Sequence, residues 1–300
     1  MRKMWSGYFR IKWIIICGFV LCIPTTYISA SVIKDPIAKT MDSIPLQERK
    51  ILEEFFRKLL FSQGFAFALF GDKPISVEYF DLEEKKKELF STSPEGYKTW
   101  KKYVHLFPSR NYLFIFHEDL DKDECEITLI NKKAFRQAID KHKEKFAEVL
   151  GPKMDSDTLL HLIVQKKSLW NTPIKERDDL TGILLGYGKH NADLFHKRSE
   201  IEMRNRECKK KRTEPSPGYS TVEEELEILN TSLQSFSNEE KISLRLMRLP
   251  GFVADPKSEE TSQLKEKYTQ QRRRITQRFA RGKILEITLE QLCSETPIDQ

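Results

Sequence analysis

The chain has 300 residues, 32% charged and 39% hydrophobic, with a formal charge of +6. Nineteen Phe, nine Tyr and four Trp supply enough apolar bulk for a core, which excludes a wholly disordered chain. Twelve Gly and thirteen Pro exclude collagen-like or low-complexity architecture, and the presence of only one long uncharged stretch excludes a multi-span membrane protein.

That stretch lies at the start. Arg2, Lys3, Arg10 and Lys12 precede the apolar run Trp13–Ile23, which gives way to Pro24, two Thr and Ile28-Ser29-Ala30. A basic segment, an apolar segment and a small residue at the exit are the parts of a secretory signal. Residues 1–30 are therefore expected to direct export to the periplasm, the cell envelope or the medium, with cleavage after Ala30. The alternative is an uncleaved inner-membrane anchor through residues 13–32, whose length suits a bilayer. Pro24 and the polar tail favour cleavage. Losing four leader cations takes the 51 basic residues to 47 against 45 acidic, a net of +2. So small a charge gives no basic field, and no specific nucleic-acid partner is expected.

Residues 31–43 read as an exposed lead-in. Ser43 and Pro45 open a helix of about four turns, with Ile51, Leu52, Phe55, Phe56, Leu59 and Leu60 at helical spacing. Gly71-Asp72-Lys73-Pro74 is a turn, and the alternating Ile75–Tyr79 a strand. Helices follow at 81–90 and 94–106. Tyr112–Phe116 and Cys125–Ile130 form an antiparallel hairpin, joined by the acidic run Asp119–Glu124, with 75–80 as a third strand. Asn131 caps a helix carrying Phe135, Ile139, Phe146, Val149 and Leu150 on one face. Asp155 or Ser156 starts the next. Further helices cover about 175–205, 221–236 and a long stretch from Ser258 to near Gly282, with Leu264, Tyr268, Ile275 and Phe279 as its apolar stripe. Lys283–Leu292 fits a helix or a strand. The fold class is α+β: a mainly helical single domain, 44–300, around a small antiparallel sheet, with a candidate internal linker at 213–220.

Motifs that carry chemistry are incomplete. Gly182–Lys189 has a glycine-rich rhythm, but five residues separate Gly182 from Gly188 and His190 stands where a phosphate loop needs Ser or Thr. Asp119, Asp121 and Asp123 start like a calcium loop, yet Glu124 replaces the required Gly and Ile130 the bidentate Glu. The six His make no zinc motif. Cys125, Cys208 and Cys293, the three cysteines outside the leader, make no CxxC pair; one disulfide is compatible with export, its pairing open. No catalytic residue, cofactor or metal is assigned. The basic stretch Lys197–Arg212 and Arg272–Arg274 are read as solvated, salt-bridged faces. Two aromatic segments beside glycine turns, Phe65–Lys73 and Gly182–Phe195, are read first as core. Should the two turns meet, Asp72, Lys73, Tyr187, Lys189, His190 and Asn191 are the ligand-pocket candidates.

Three patches carry a resemblance: Leu69–Pro74, Gly182–Gly188 with Asn191 and Phe195, and Leu249–Asp255 with Glu260-Thr261. On these the chain resembles a group of exported proteins of chlamydia-like intracellular bacteria. The resemblance spans most of the chain beyond the leader and implies export from a bacterium. It implies no activity and lends no functional residues. The expected function is binding of a protein or small-molecule ligand at the envelope or a host interface. A hydrolase with a site assembled from scattered residues is one alternative. The other is a membrane-surface protein using Phe55–Phe70 as an interfacial helix.

Overall fold

The computed structural model describes residues 36–62, 64–81, 94–119, 124–210, 218–235, 247, 249–280 and 282–294. The leader, most of the expected 81–90 helix, Asp121 and Asp123, and linker residues 213–217 lie outside the described residues.

Three helices open the described chain: α1 (Pro36–Asp42), α2 (Leu46–Ser62) and α3 (Phe65–Leu69). Strand β1 (Ile75–Asp81) and helix α4 (Pro94–Tyr103) with a short 3-10 turn (Val104–Leu106) follow. Next come β2 (Tyr112–Asp119), β3 (Glu124–Asn131), α5 (Lys132–Lys141), α6 (Lys143–Leu150) and α7 (Ser156–Lys166). A second 3-10 turn (Leu169–Asn171) leads to α8 (Asp178–Leu184), α9 (Lys189–Lys210) and α10 (Gly218–Ser232). The chain closes with the two-residue strands β4 (Gln234–Ser235) and β5 (Val253–Ala254), then α11 (Glu259–Phe279) and α12 (Ile284–Cys293). Pro36–Gln300 form one compact unit.

The sheet order is β1-β3-β2, antiparallel throughout. The central strand β3 is buried on both faces, because helices cover both. Alternate residues settle which side each serves. Phe80, Phe114, Phe116, Cys125, Ile127 and Leu129 join a core built with α2, α3, α4, α11 and α12. Ile75, Val77, Leu113, Ile115 and Ile130 join a second core built with α5, α6, α7, α8 and the start of α9. The first core is aromatic: the Trp100 ring meets Phe56 edge-on at 4.8 Å and Phe114 at 5.3 Å. Phe55, Phe56, Leu59, Leu60, Phe65, Phe67 and Leu69 are all buried there, which closes the route to a membrane surface through Phe55–Phe70. Among the described residues, no helix is long and apolar enough to cross a membrane.

Three local features differ from the sequence reading. Residues 36–42, read as exposed lead-in, form α1, and Met41 and Ile44 are buried. The single helix expected over 131–150 breaks at His142 (φ −119°, ψ 29°) into α5 and α6. Periodicity could not show the break, since residues 135, 139 and 146 share a face either way. Residues 283–292, left between helix and strand, are helical.

Helix α3 is wholly apolar and wholly buried, so water cannot satisfy its last carbonyls. Side chains at the sheet end do so instead. Asn131 Nδ2 donates to Ala68 O (3.0 Å) and Gly71 O (3.1 Å), and the Tyr112 hydroxyl donates to Leu69 O (2.7 Å). Gln291 Nε2 on α12 donates to the Tyr112 hydroxyl at 2.8 Å. Asn131 Oδ1 meanwhile accepts from Ala134 N and caps α5. Asn131→Ala is expected to destabilise the protein by about 2–4 kcal/mol, a lost cap plus buried carbonyls left unpaired. Asn131→Asp keeps the cap acceptor, removes both donors and remains destabilised. Urea unfolding of the three proteins checks both.

Candidate functional site

The two turns named in the sequence meet. Gly186, at φ +78°, packs so closely that a Cβ there would lie 2.5 Å from the Tyr268 hydroxyl and 3.3 Å from Lys73 Cγ. Only glycine fits both the dihedral and the space. Tyr268, fully buried on α11, stands between the turns: its hydroxyl donates to Gly186 O at 2.8 Å, and its ring meets Phe67 edge-on at 5.3 Å. Asp72 accepts from Gln271 Nε2 (2.7 Å) and pairs with Lys267 Nζ (2.9 Å). The six candidates therefore gather along one side of α11, with the Tyr268 ring filling the space between them.

Each candidate has a holding role there. Tyr187 stacks on Phe252 at 4.4 Å, and burial pushes its hydroxyl up to about 12. Asn191 is buried; its Nδ2 donates to Tyr187 O, and its Oδ1 accepts from Asp255 N and Thr261 Oγ1, all at 3.0 Å. The exposed Lys189 and His190 give their backbone N–H groups to the Glu260 carboxylate at 3.0 and 2.8 Å. Glu260 thus caps α9 from a different helix and occupies the amides a phosphate would need. His190 Nε2 also lies 3.1 Å from Asp255 Oδ2. Gly182 lies against Ala192, which lets α8 and α9 turn tightly back on each other.

A buried ion network fastens the same corner from behind. Asp179 accepts from Arg177 Nε (3.0 Å) and Nη2 (2.8 Å) and pairs with Lys145 Nζ (2.7 Å), which also reaches Asp193. Burial alone would raise the Asp179 carboxyl, but the hydrogen bonds from Arg177 and Lys145 outweigh it and hold the group below its usual range. On α9, Arg198 and Arg206 pair with Glu202, and Arg204 with Glu225 of α10, so the described part of the basic stretch is a salt-bridged face.

Lys73 is chemically the odd member. It is 5% exposed, and its Nζ donates to Ile75 O (2.6 Å) and Ser76 Oγ (3.0 Å), with no carboxylate partner among the described residues. Burial draws its ammonium down from 10.5 to about 7. Between those values the unfolded chain holds the proton that the folded chain has released, so stability rises with pH across that window. The slope contributed is at most about 1.4 kcal/mol per pH unit. Lys73→Met is expected to be more stable than the parent at pH 7 and to lose this slope between pH 7 and 10. Denaturant midpoints measured across that range check it.

An open cleft of about 500 Å³ lies elsewhere, between α1 (Pro36, Ile37, Thr40), the segment Leu106–Arg110 and the end of α12 (Cys293, Ser294). Its walls are Ile37, Leu106, Phe107 and Pro108, with Thr40, Ser109, Arg110 and Ser294 supplying polar groups. Asn111 Nδ2 donates to Ser294 O at 3.0 Å and Lys132 Nζ to Arg110 O at 3.0 Å, tying the rim to the sheet and α5. Cys293 is a half-buried cysteine on this cleft, and Cys125 a buried cysteine in the core. Sequence reading missed the cleft because its three segments lie far apart in the chain. The one local signal was the unassigned Phe107-Pro108-Ser109 bend after α4. Comparison with protein-family models, curated proteins and solved structures finds no match.

Proposed function

We propose that this is an exported bacterial protein acting by binding, at the cell envelope or a host interface, and that the cleft beside Cys293 takes the ligand. The cleft carries the reading. It has the size and the mix of apolar walls with few polar groups usual for small-molecule sites. An apolar ligand with one polar or anionic end fits that lining, with Arg110 as the charge at the rim. Export rests on the leader, with its basic start, apolar run and Ala30 exit. The resemblance to exported proteins of chlamydia-like bacteria points the same way.

Expressed whole in a bacterium, the protein is expected outside the cytoplasm with a new N-terminus near Ser31. Mass spectrometry of the fractions checks this, and an intact Met1 in the membrane fraction supports the anchor through residues 13–32 instead. Binding is read from the cleft itself. In a Cys208→Ser background, Cys293 is expected to react with a maleimide, and medium-chain carboxylates are expected to slow that reaction and raise Tm. No protection by these amphiphiles, together with turnover of simple ester substrates, favours the hydrolase reading.

A further inference from the structure

The register of the sheet builds a second cluster on the face toward α7. Tyr79 of β1 stands opposite Glu126 of β3, and His117 of β2 stands opposite Glu126 from the other side. Glu124 follows on the same face, because alternate residues along a strand point the same way. Asp119 of β2 stands opposite Glu124 on that face, so these five residues converge from three strands at one end of the sheet.

Their burial grades from floor to mouth. Glu126 is 3% exposed, whereas Tyr79 is 51% exposed and Glu124 is open to solvent. The groups hydrogen-bonded to the Glu126 carboxylate are hydroxyls. Thr128 Oγ1 donates at 2.8 Å, and Ser168 Oγ, from the start of the second 3-10 turn, lies at 3.5 Å. Burial raises the carboxyl, opposed by the Thr128 bond, the His117 charge and the Tyr79 and Ser168 hydroxyls. The Tyr79 hydroxyl is raised by burial first, then by the charges of Glu126 and Glu124, which places the phenol beside both acids and next to the half-buried Trp170. Among the described residues, no Lys or Arg lies within ion-pair distance of Glu124 or Glu126.

A carboxylate in a poorly solvated floor without a cation has a strong electrostatic demand for one. Exposed aromatic faces at the mouth attract cations through the ring quadrupole. A metal ion is a poor fit, since no group of three His, Cys, Asp or Glu among the described residues has metal-holding geometry. An ammonium group needs only a carboxylate or two and aromatic walls. We propose that Glu126 and Glu124, with Tyr79 and Trp170 as walls, form a binding site for the ammonium group of an organic cation. This site is separate from the Cys293 cleft and does not depend on it. A bound cation favours the ionised form of Glu126 and expels the proton that burial retains. Affinity therefore rises with pH through the raised carboxyl.

The test uses the chain from Ser31, in which Trp100 and Trp170 are the only tryptophans and Trp100 is wholly buried. Titration with choline chloride at constant ionic strength is expected to give a saturable fluorescence change that Trp170→Phe abolishes. The affinity at pH 8 is expected to exceed that at pH 5, the direction set by the raised Glu126 carboxyl. Glu126→Gln is expected to weaken binding about ten-fold at pH 8 and to erase the pH dependence. Tyr79→Ala, an exposed substitution, is expected to weaken it likewise and serves if Glu126→Gln does not fold. Nα-acetyl-lysine amide in a parallel titration separates the sources. Tighter binding than choline means a peptide lysine, and weaker binding means a quaternary ammonium compound. A signal linear in both compounds, or one retained at full affinity in Tyr79→Ala, overturns the proposal.

Discussion

The fold depends on one side chain at the end of the central strand. Helix α3 buries five apolar residues and with them backbone carbonyls that must find donors without water. Asn131 supplies a donor to Ala68 of that helix and another to Gly71 just after it, and uses its remaining oxygen to start α5. Its own backbone N–H donates to Pro74 O at 2.9 Å, so the turn before β1 hangs from the same residue. Asn131 thereby links the aromatic core on one face of the sheet to the helical core on the other. A hydrophobic residue there would bury comfortably but leave the carbonyls unpaired, which costs more than the burial returns.

The sheet has only three strands, too few to enclose a core by itself. It works here as a partition. Each face seeds a separate apolar cluster, and the helices are sorted by which cluster they complete. Among the described residues, buried Lys, Asp and Glu side chains are few and conspicuous. Asp179 is buried with two cations, whereas Lys73 and Glu126 are buried with hydroxyl and carbonyl partners and no Lys, Arg or carboxylate ion pair among the described residues. The first arrangement holds helices together. The other two keep an ionisable group whose protonation depends on its surroundings, and such groups are where ligand or proton chemistry is sensed.

The glycine-rich segment shows how one local pattern changes meaning in three dimensions. In sequence, Gly182–Lys189 has the rhythm of a phosphate loop. In the fold, Gly182 admits Ala192, Gly186 admits Tyr268, and the amides that would meet a phosphate are held by Glu260. The carboxylate that takes them comes from about seventy residues away, so no local reading could have supplied it.

Much of the architecture was legible in the chain. The 3.6-residue stripes of α2 and α11, the alternation of 75–79, the hairpin around an acidic connection and the caps at Asn131 and Asp155 are local physics, set by side-chain size and hydrogen-bonding reach within a few residues. The meeting of the 71–74 and 187–191 turns was a conditional reading, and only the packing of Tyr268 between them decided what fills the space. The strand expected from sequence ended at Phe116 with no register set, so the pairing of His117 with Glu126 came from the folded sheet. It took the third strand to bring Tyr79 alongside, and the Ser168–Trp170 turn to close the edge. The Cys293 cleft had no sequence signature, because its walls come from three segments that only tertiary packing brings together. Local interactions set elements; burial, shared carbonyls and charge partners arise from long-range contacts, and these settled where the candidate sites lie.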